Sequence, residues 1–254
     1  MPLSKEQIDL FNEQGFLPFP ALLTSLEVKA LHQRLEDIGN EVVAFPQQHV
    51  QIEPRVQTGE LEEDPVRFNN VRKVSNLTRH DALFKELARH PRILDVIHSL
   101  IGPDLKIYLD QTLCKPARVG SAKPPHQDSA YWVNIDPPNL AICWIALDDA
   151  TEDNGCMRFI SGSHKLGVIE HKHLEDFRVE DAKVEYGKEV CVPLKAGGCS
   201  FHHSLALHRT DANVSDQRRI GLTVAYMAAN SKFVGKPPKP DYELAAGTSF
   251  EGCV

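Results

Sequence analysis

Residues 140–147 read LAICWIAL, eight apolar positions in a row. A continuous apolar run this short, preceded by Asp136-Pro137-Pro138, reads as a strand covered on both faces rather than one face of a surface helix. It constrains the fold because its neighbours read the same way. Residues 105–114, 156–160, 200–207 and 220–227 are strand-like and are separated by Gly, Pro and Asp turns. Asn154-Gly155 predicts a hairpin leading into 156–160. Short strands at this spacing predict an antiparallel barrel or jelly roll over about residues 105–227.

The first part of the chain, to about residue 104, reads differently. Ser4 with Gln7 forms a capping box for a helix carrying Ile8, Leu10 and Phe11, which Gly15 stops. Residues 16–19 read as a short extended segment. Val28, Leu31, Leu35 and Ile38 repeat at spacings of three and four, predicting a helix over 26–43. A helical pattern over 81–101 breaks near Pro91 and ends at Gly102-Pro103. Residues 45–65 lack periodicity and are expected to form a loop; its acidic stretch GELEED at 59–64 and the later segment 164–190 are expected on the surface. The tail from 232 to 254, rich in Gly, Pro and charge, either wraps the barrel or stays partly disordered. The expectation is one domain over 1–254, with helices first and sheets second.

Composition narrows the function classes. A chain of 254 residues with 42% hydrophobic and 25% charged residues is an ordinary globular protein. A net charge of -7 argues against general nucleic-acid binding. Met1-Pro2-Leu3-Ser4-Lys5 leads into a polar helical pattern without an apolar stretch, so no secretory leader is expected. No apolar run is long enough to span a membrane. The six cysteines include no C-x-x-C pair and are expected as free thiols in a cytoplasmic protein.

The candidate chemistry lies at His126-Gln127-Asp128. On a strand, side chains two apart share a face, so His126 and Asp128 can grip one metal ion together. A distant histidine would complete two imidazoles and one carboxylate, the ligand set of non-haem Fe(II) oxygenases. If a single strand runs through 200–207, His202 and His208 share a face with Ser204 and Ala206, while His203 shares the apolar face of Phe201, Leu205 and Leu207. Periodicity therefore leaves His202 and His208 both open. Further on, Arg219 has the parity of Gly221, Thr223 and Ala225, whereas Arg218 has that of Ile220, Leu222, Val224 and Tyr226. Small neighbours leave room for the Arg219 head, whose fork suits a carboxylate. Glu152 and Asp153 read as residues that merely solubilise a turn.

The stretches PPHQDSAYW around His126, the strand holding Trp144, EDNGCMRFISGSHKLG at 152–167 and GGCSFHHSLALHRTDAN at 197–213, followed by Arg219, together resemble the phytanoyl-CoA dioxygenase (PhyH) family of Fe(II)/2-oxoglutarate-dependent oxygenases. VRKVSN at 71–76 is similar too. The resemblance implies a double-stranded β-helix, a cupin-like jelly roll, mainly β with flanking helices. It places the iron ligands at His126, Asp128 and His208. It places the 2-oxoglutarate anchor at Arg219, assisted by Thr210, with Trp144, Lys73 and Gln111 also at the cosubstrate. The implied reaction uses O2, releases succinate and CO2, and hydroxylates an aliphatic C–H of a small organic acid, acyl derivative or secondary metabolite. Asp128 favours hydroxylation, desaturation or cyclisation over halogenation. A metal enzyme of another reaction type would explain the two His and one Asp but not Arg219 and Thr210; a non-catalytic jelly-roll binding protein would need none of them. The expected partner is a small molecule, with no nucleic acid and no membrane, in a monomer or homodimer. The sequence shows no basic cluster that demands a CoA phosphate, which favours a smaller substrate.

Overall fold

The computed structural model describes residues 2–174 and 176–254. Its centre is an eight-stranded antiparallel sheet. The strand order is Phe16–Phe19, Cys199–His203, Ala141–Ala146, Arg219–Ala228, Leu105–Lys115, Val71–Ser75 and Val50–Ile52, with Leu244–Ala246 also pairing on Leu105–Lys115. A four-stranded sheet, Glu189–Val192, Met157–Ile160, His208–Thr210 and Lys123–His126, faces it. The two sheets make the jelly roll.

The apolar run at 140–147 is continuous because both of its faces are buried. Ala141, Cys143, Ile145 and Leu147 join the core under the helices Ser25–Gly39 and Pro91–Ile101, together with Leu35, Ile38, Ile93, Ile97 and Phe201. Trp144 and Ala146 face the other way, toward Met157 and Phe159 of the second sheet. Each fully buried Ile or Phe contributes about 1.5–3 kcal/mol of transfer free energy, so the helices and sheets are held by the same apolar strand.

Helix ends follow the expected chemistry. Ser4 and Gln7 form the capping box, and Gly15 stops the helix Lys5–Gln14 at φ 87°, a left-handed value that suits glycine. The second helix, Ser25–Gly39, ends before the predicted limit of 43. Pro91 opens a new helix, Pro91–Ile101, at its first position, where the missing N–H costs nothing.

Several expectations are corrected. Helices do not precede sheets: Phe16–Phe19, Val50–Ile52 and Val71–Ser75 belong to the large sheet. Residues 45–65 are not a plain loop, since they hold Val50–Ile52 and the short helix Pro54–Gln57. Isolated apolar residues there gave no period, because an edge strand of this length spans less than two repeats. Asn154-Gly155 does not close a hairpin between paired strands. Ala141–Ala146 lies in one sheet and Met157–Ile160 in the other, so the turn carries the chain across the roll. Residues 200–207 are not one strand: pairing stops at His203, and 204–207 turn into His208–Thr210 of the second sheet. Glu152 does more than solubilise, being 2.8 Å from Arg158 in an ion pair. The tail is ordered against the barrel, with Tyr242 and Val254 buried beside Ile142. No helix among the described residues is long and apolar enough to cross a membrane.

Candidate active site

His126 ends the strand Lys123–His126, and His208, which opens His208–Thr210, lies directly opposite it in the sheet. Asp128 follows at the start of a 3-10 turn, Asp128–Ala130. One ligand atom from each of the three lies within 4.8 Å of the others. His126 Nε2 is 3.7 Å and His208 Nε2 3.9 Å from the same Asp128 oxygen, Oδ1.

The backbone sets which ring nitrogen faces the cavity. His126 Nδ1 is 2.8 Å from the Pro124 carbonyl and His208 Nδ1 2.9 Å from the Ala206 carbonyl. A carbonyl only accepts, so each Nδ1 carries the proton and each Nε2 presents a lone pair. Burial, then the neighbouring His208, pushes His126 down to about 3; burial likewise lowers His208. Both rings are therefore neutral near pH 7. Burial alone would raise the Asp128 carboxyl, but His208, the His202 hydrogen bond and His126 outweigh it and leave it well below the usual range. Two neutral imidazoles and one carboxylate make a donor set that fits Fe(II).

Two residues that the sequence left open or unmarked frame this cluster. His202 faces the cavity from the other sheet, with Nε2 3.4 Å from Asp128 Oδ2 and a buried Nδ1 that has no partner among the described residues. It stands behind Asp128 and orients its carboxylate, while His208 takes the position beside His126. Gln127 is 0% exposed and points away from the ligands. Its backbone N–H donates to His171 Nε2, its Nε2 donates to the Gly167 and Leu205 carbonyls, and its Oε1 accepts from the Ile169 N–H. It thus ties the segment around 167–171 and the 204–207 turn to the backbone between His126 and Asp128.

The triad opens into a cavity of about 440 Å³, within the size range of small-ligand sites. Arg219 lines it and is 2% exposed, with its guanidinium 5.4 Å from the Trp144 ring centre. Arg219 Nε has no partner among the described residues, and no carboxylate pairs with its head there. Burial pushes its pKa down to about 10, so it remains a cation. Gly221 makes the indole's seat, because a Cβ there would lie 2.4 Å from the Trp144 ring. Arg218 points outward, 4.1 Å over the Phe68 ring and 3.7 Å from Glu36. Thr210, Trp144, Lys73 and Gln111 all line the cavity as well.

Lys115, directly opposite Arg219, also lines the cavity. Its Nζ donates to the Ser121 and Asp211 carbonyls at 2.5 and 2.6 Å. With Arg72, Lys73 and Lys123 it makes the cavity wall cationic. The sequence hid this basic cluster, because these residues come from three different strands and meet only when folded.

Burial, then Arg219, pushes the Lys115 ammonium down to about 7. The unfolded chain keeps the ordinary value near 10.5, so it binds more protons than the folded chain between the two values. Stability contributed by this group is therefore full above pH 10.5 and lost as pH falls through 7. Wild-type protein is expected to gain about 2 kcal/mol from pH 7 to 9 through this group. Urea unfolding at the two pH values should show that gain missing in Lys115→Met; an equal gain in both proteins would contradict it.

A jelly roll that gathers two histidines and one carboxylate at the foot of a cavity is the frame of the non-haem iron oxygenases. Comparison with known proteins gives the family. The phytanoyl-CoA dioxygenase (PhyH) profile matches residues 11–221. The L-proline trans-4-hydroxylase of Streptomyces griseoviridis is 29% identical over 239 residues, covering 85% of this chain and 83% of that protein. The phytanoyl-CoA dioxygenase domain-containing protein 1 of Mus musculus is 25% identical, covering 89% and 91%. The crystal structure of SnoK, a non-haem alpha-ketoglutarate-dependent carbocyclase from nogalamycin biosynthesis, superposes with a TM-score of 0.71 at 26% identity over 95% of this chain and 96% of that one. The chain belongs to the phytanoyl-CoA dioxygenase family and is an Fe(II)/2-oxoglutarate-dependent dioxygenase.

Proposed function

We propose that the chain acts as one dioxygenase domain that hydroxylates an aliphatic C–H of a small organic substrate, with release of succinate and CO2. The observation that carries this is the pairing of the His126–Asp128–His208 cluster with an unpartnered buried Arg219 in one cavity. His126, Asp128 and His208 would hold the metal with only three protein ligands, which would leave it open to cosubstrate and O2. The bound iron and 2-oxoglutarate supply the oxidising chemistry. The protein's own residues do the rest.

His126, His208 and Asp128 hold the metal, and their carbonyl and His202 partners keep the donor atoms aimed. Arg219 would take the far carboxylate of 2-oxoglutarate in its fork, assisted by Thr210 and Trp144 of the same cavity. Lys73 and Gln111, which line the same cavity, would contact the cosubstrate. The relatives act on different substrates, so the cavity wall rather than the triad selects what is oxidised.

The test is an anaerobic titration with Fe(II) and then 2-oxoglutarate. The expected result is a weak visible charge-transfer band from the chelate, absent in His208→Ala. Stoichiometric iron binding with no band in the wild type would overturn the cosubstrate assignment and point to a metalloenzyme of another reaction type.

A further inference from the structure

The six cysteines are free thiols, and four of them bring sulfur next to sulfur in two pairs. Cys143 and Cys199 are each 0% exposed and lie in the core under the helices, out of reach of a reagent. The other pair is placed differently. Cys191 lies on Glu189–Val192, an outermost strand of the four-stranded sheet, and is half-buried. Cys156 is 0% exposed and immediately precedes the neighbouring strand Met157–Ile160. Their Sγ atoms are 3.1 Å apart.

A disulfide bond is about 2.05 Å long, so closing the pair asks for a movement of about 1 Å and no change of fold. The two exposures assign the roles. Cys191 meets solvent and reacts first. Burial, then the hydrogen bond with Cys191, pushes the Cys156 thiol up to about 12, so Cys156 keeps its proton until it attacks from inside. A peroxide is the oxidant. The Cys191 thiolate takes one oxygen from hydrogen peroxide, giving a sulfenic acid and, with the proton of the thiol, one water. The Cys156 sulfur then attacks the Cys191 sulfur, and its proton leaves with the hydroxyl as a second water. Two thiols and one peroxide become one disulfide and two waters.

The bond would form against the cosubstrate end of the cavity. Gly155, just before Cys156, packs so closely that a Cβ there would collide with the Asp211 carbonyl and crowd the Lys115 side chain at 3.2 Å. Met157, just after, lines the cavity, and Cys156 shares a buried cluster with Trp144. Close-packed interiors transmit strain, so a shift at Cys156 is felt by Lys115, Met157 and Trp144. Resting on the dioxygenase reading above, we infer that Cys156 and Cys191 form a reversible thiol–disulfide switch, and that closing it weakens the binding of 2-oxoglutarate.

The full chain is treated with hydrogen peroxide before iron loading, and the peroxide is then removed with catalase. The thiol count in denaturant is expected to fall by two from six, and peptide mapping without reductant should find the link Cys156 to Cys191. Dithiothreitol should restore the full count. Cys156→Ser should stop at a dimedone-reactive sulfenic acid on Cys191. Cys191→Ser should form no link, and Cys191→Ala repeats that arm if the serine variant folds poorly. Fe(II) and then 2-oxoglutarate are next titrated anaerobically into each protein. The Kd read from the chelate band should rise at least about fivefold in the oxidised wild type, since misplacement by 1 Å is costly to a fitted site. It should not change in peroxide-treated Cys191→Ser.

Absence of the link, or a link between Cys143 and Cys199 in its place, overturns the inference. So does a Cys156–Cys191 link that leaves the Kd where it was, since the pair would then serve only the fold. Loss of the band in the reduced wild type removes the dioxygenase reading and the cosubstrate half of the inference, while the peptide map still decides whether the disulfide forms.

Discussion

Asp128→Ala should abolish 2-oxoglutarate-dependent turnover and the chelate band together. The carboxylate supplies the only negative charge in the ligand cluster, and Oδ1 lies 3.7 and 3.9 Å from the two Nε2 atoms. Without it two neutral imidazoles must hold a dication in a buried site. Partners one step removed from a metal are worth about 10–100-fold, so loss of a direct ligand should exceed that range. The fold should survive, because the strand pairing of His126 with His208 and the four hydrogen bonds of Gln127 do not involve Asp128. Succinate release in an iron-replete sample and a thermal melt separate the two effects. Unchanged turnover in the variant would sink the triad assignment.

The second large effect is a difference between neighbours. Arg219→Ala should raise the KM for 2-oxoglutarate by about 30-fold or more, because truncating one partner of a buried charge pair costs about 2–5 kcal/mol. Arg218→Ala should change it by less than about fivefold, in line with an outer ion pair and a cation–π contact worth about 1 kcal/mol. The two residues are adjacent and carry the same charge, so net electrostatics cannot explain a split. Steady-state kinetics at varied 2-oxoglutarate decides it. A reversed ranking would place the carboxylate anchor on the outer face of the strand Arg219–Ala228.

Much of the site was legible because strand parity is a local property. Arg219 shares a side with Gly221, and the structure shows why glycine is needed there: the Trp144 indole occupies the space a Cβ would take. His126 and Asp128 do meet in one cluster, but only His126 lies on the strand; Asp128 opens the 3-10 turn that follows. Parity failed where the strand itself ended. His202 and His208 were read as one strand's face, yet they sit in opposite sheets and reach the same carboxylate from two directions. No pattern within 200–207 could show that, since a turn of four residues preserves the even spacing by accident.

The sequence by itself determined the jelly-roll class, the ligand types and the faces of the individual strands, because each depends on residues a few positions apart. The tertiary structure alone decided which residues face one another across the cavity. Glu53, Arg72, Lys115 and Arg219 lie far apart in the chain and converge only when the N-terminal strands pair onto the central sheet. Their gathering around one cavity arises from that pairing. Long-range contacts leave no local period to read, so the cationic wall becomes visible only in the folded protein.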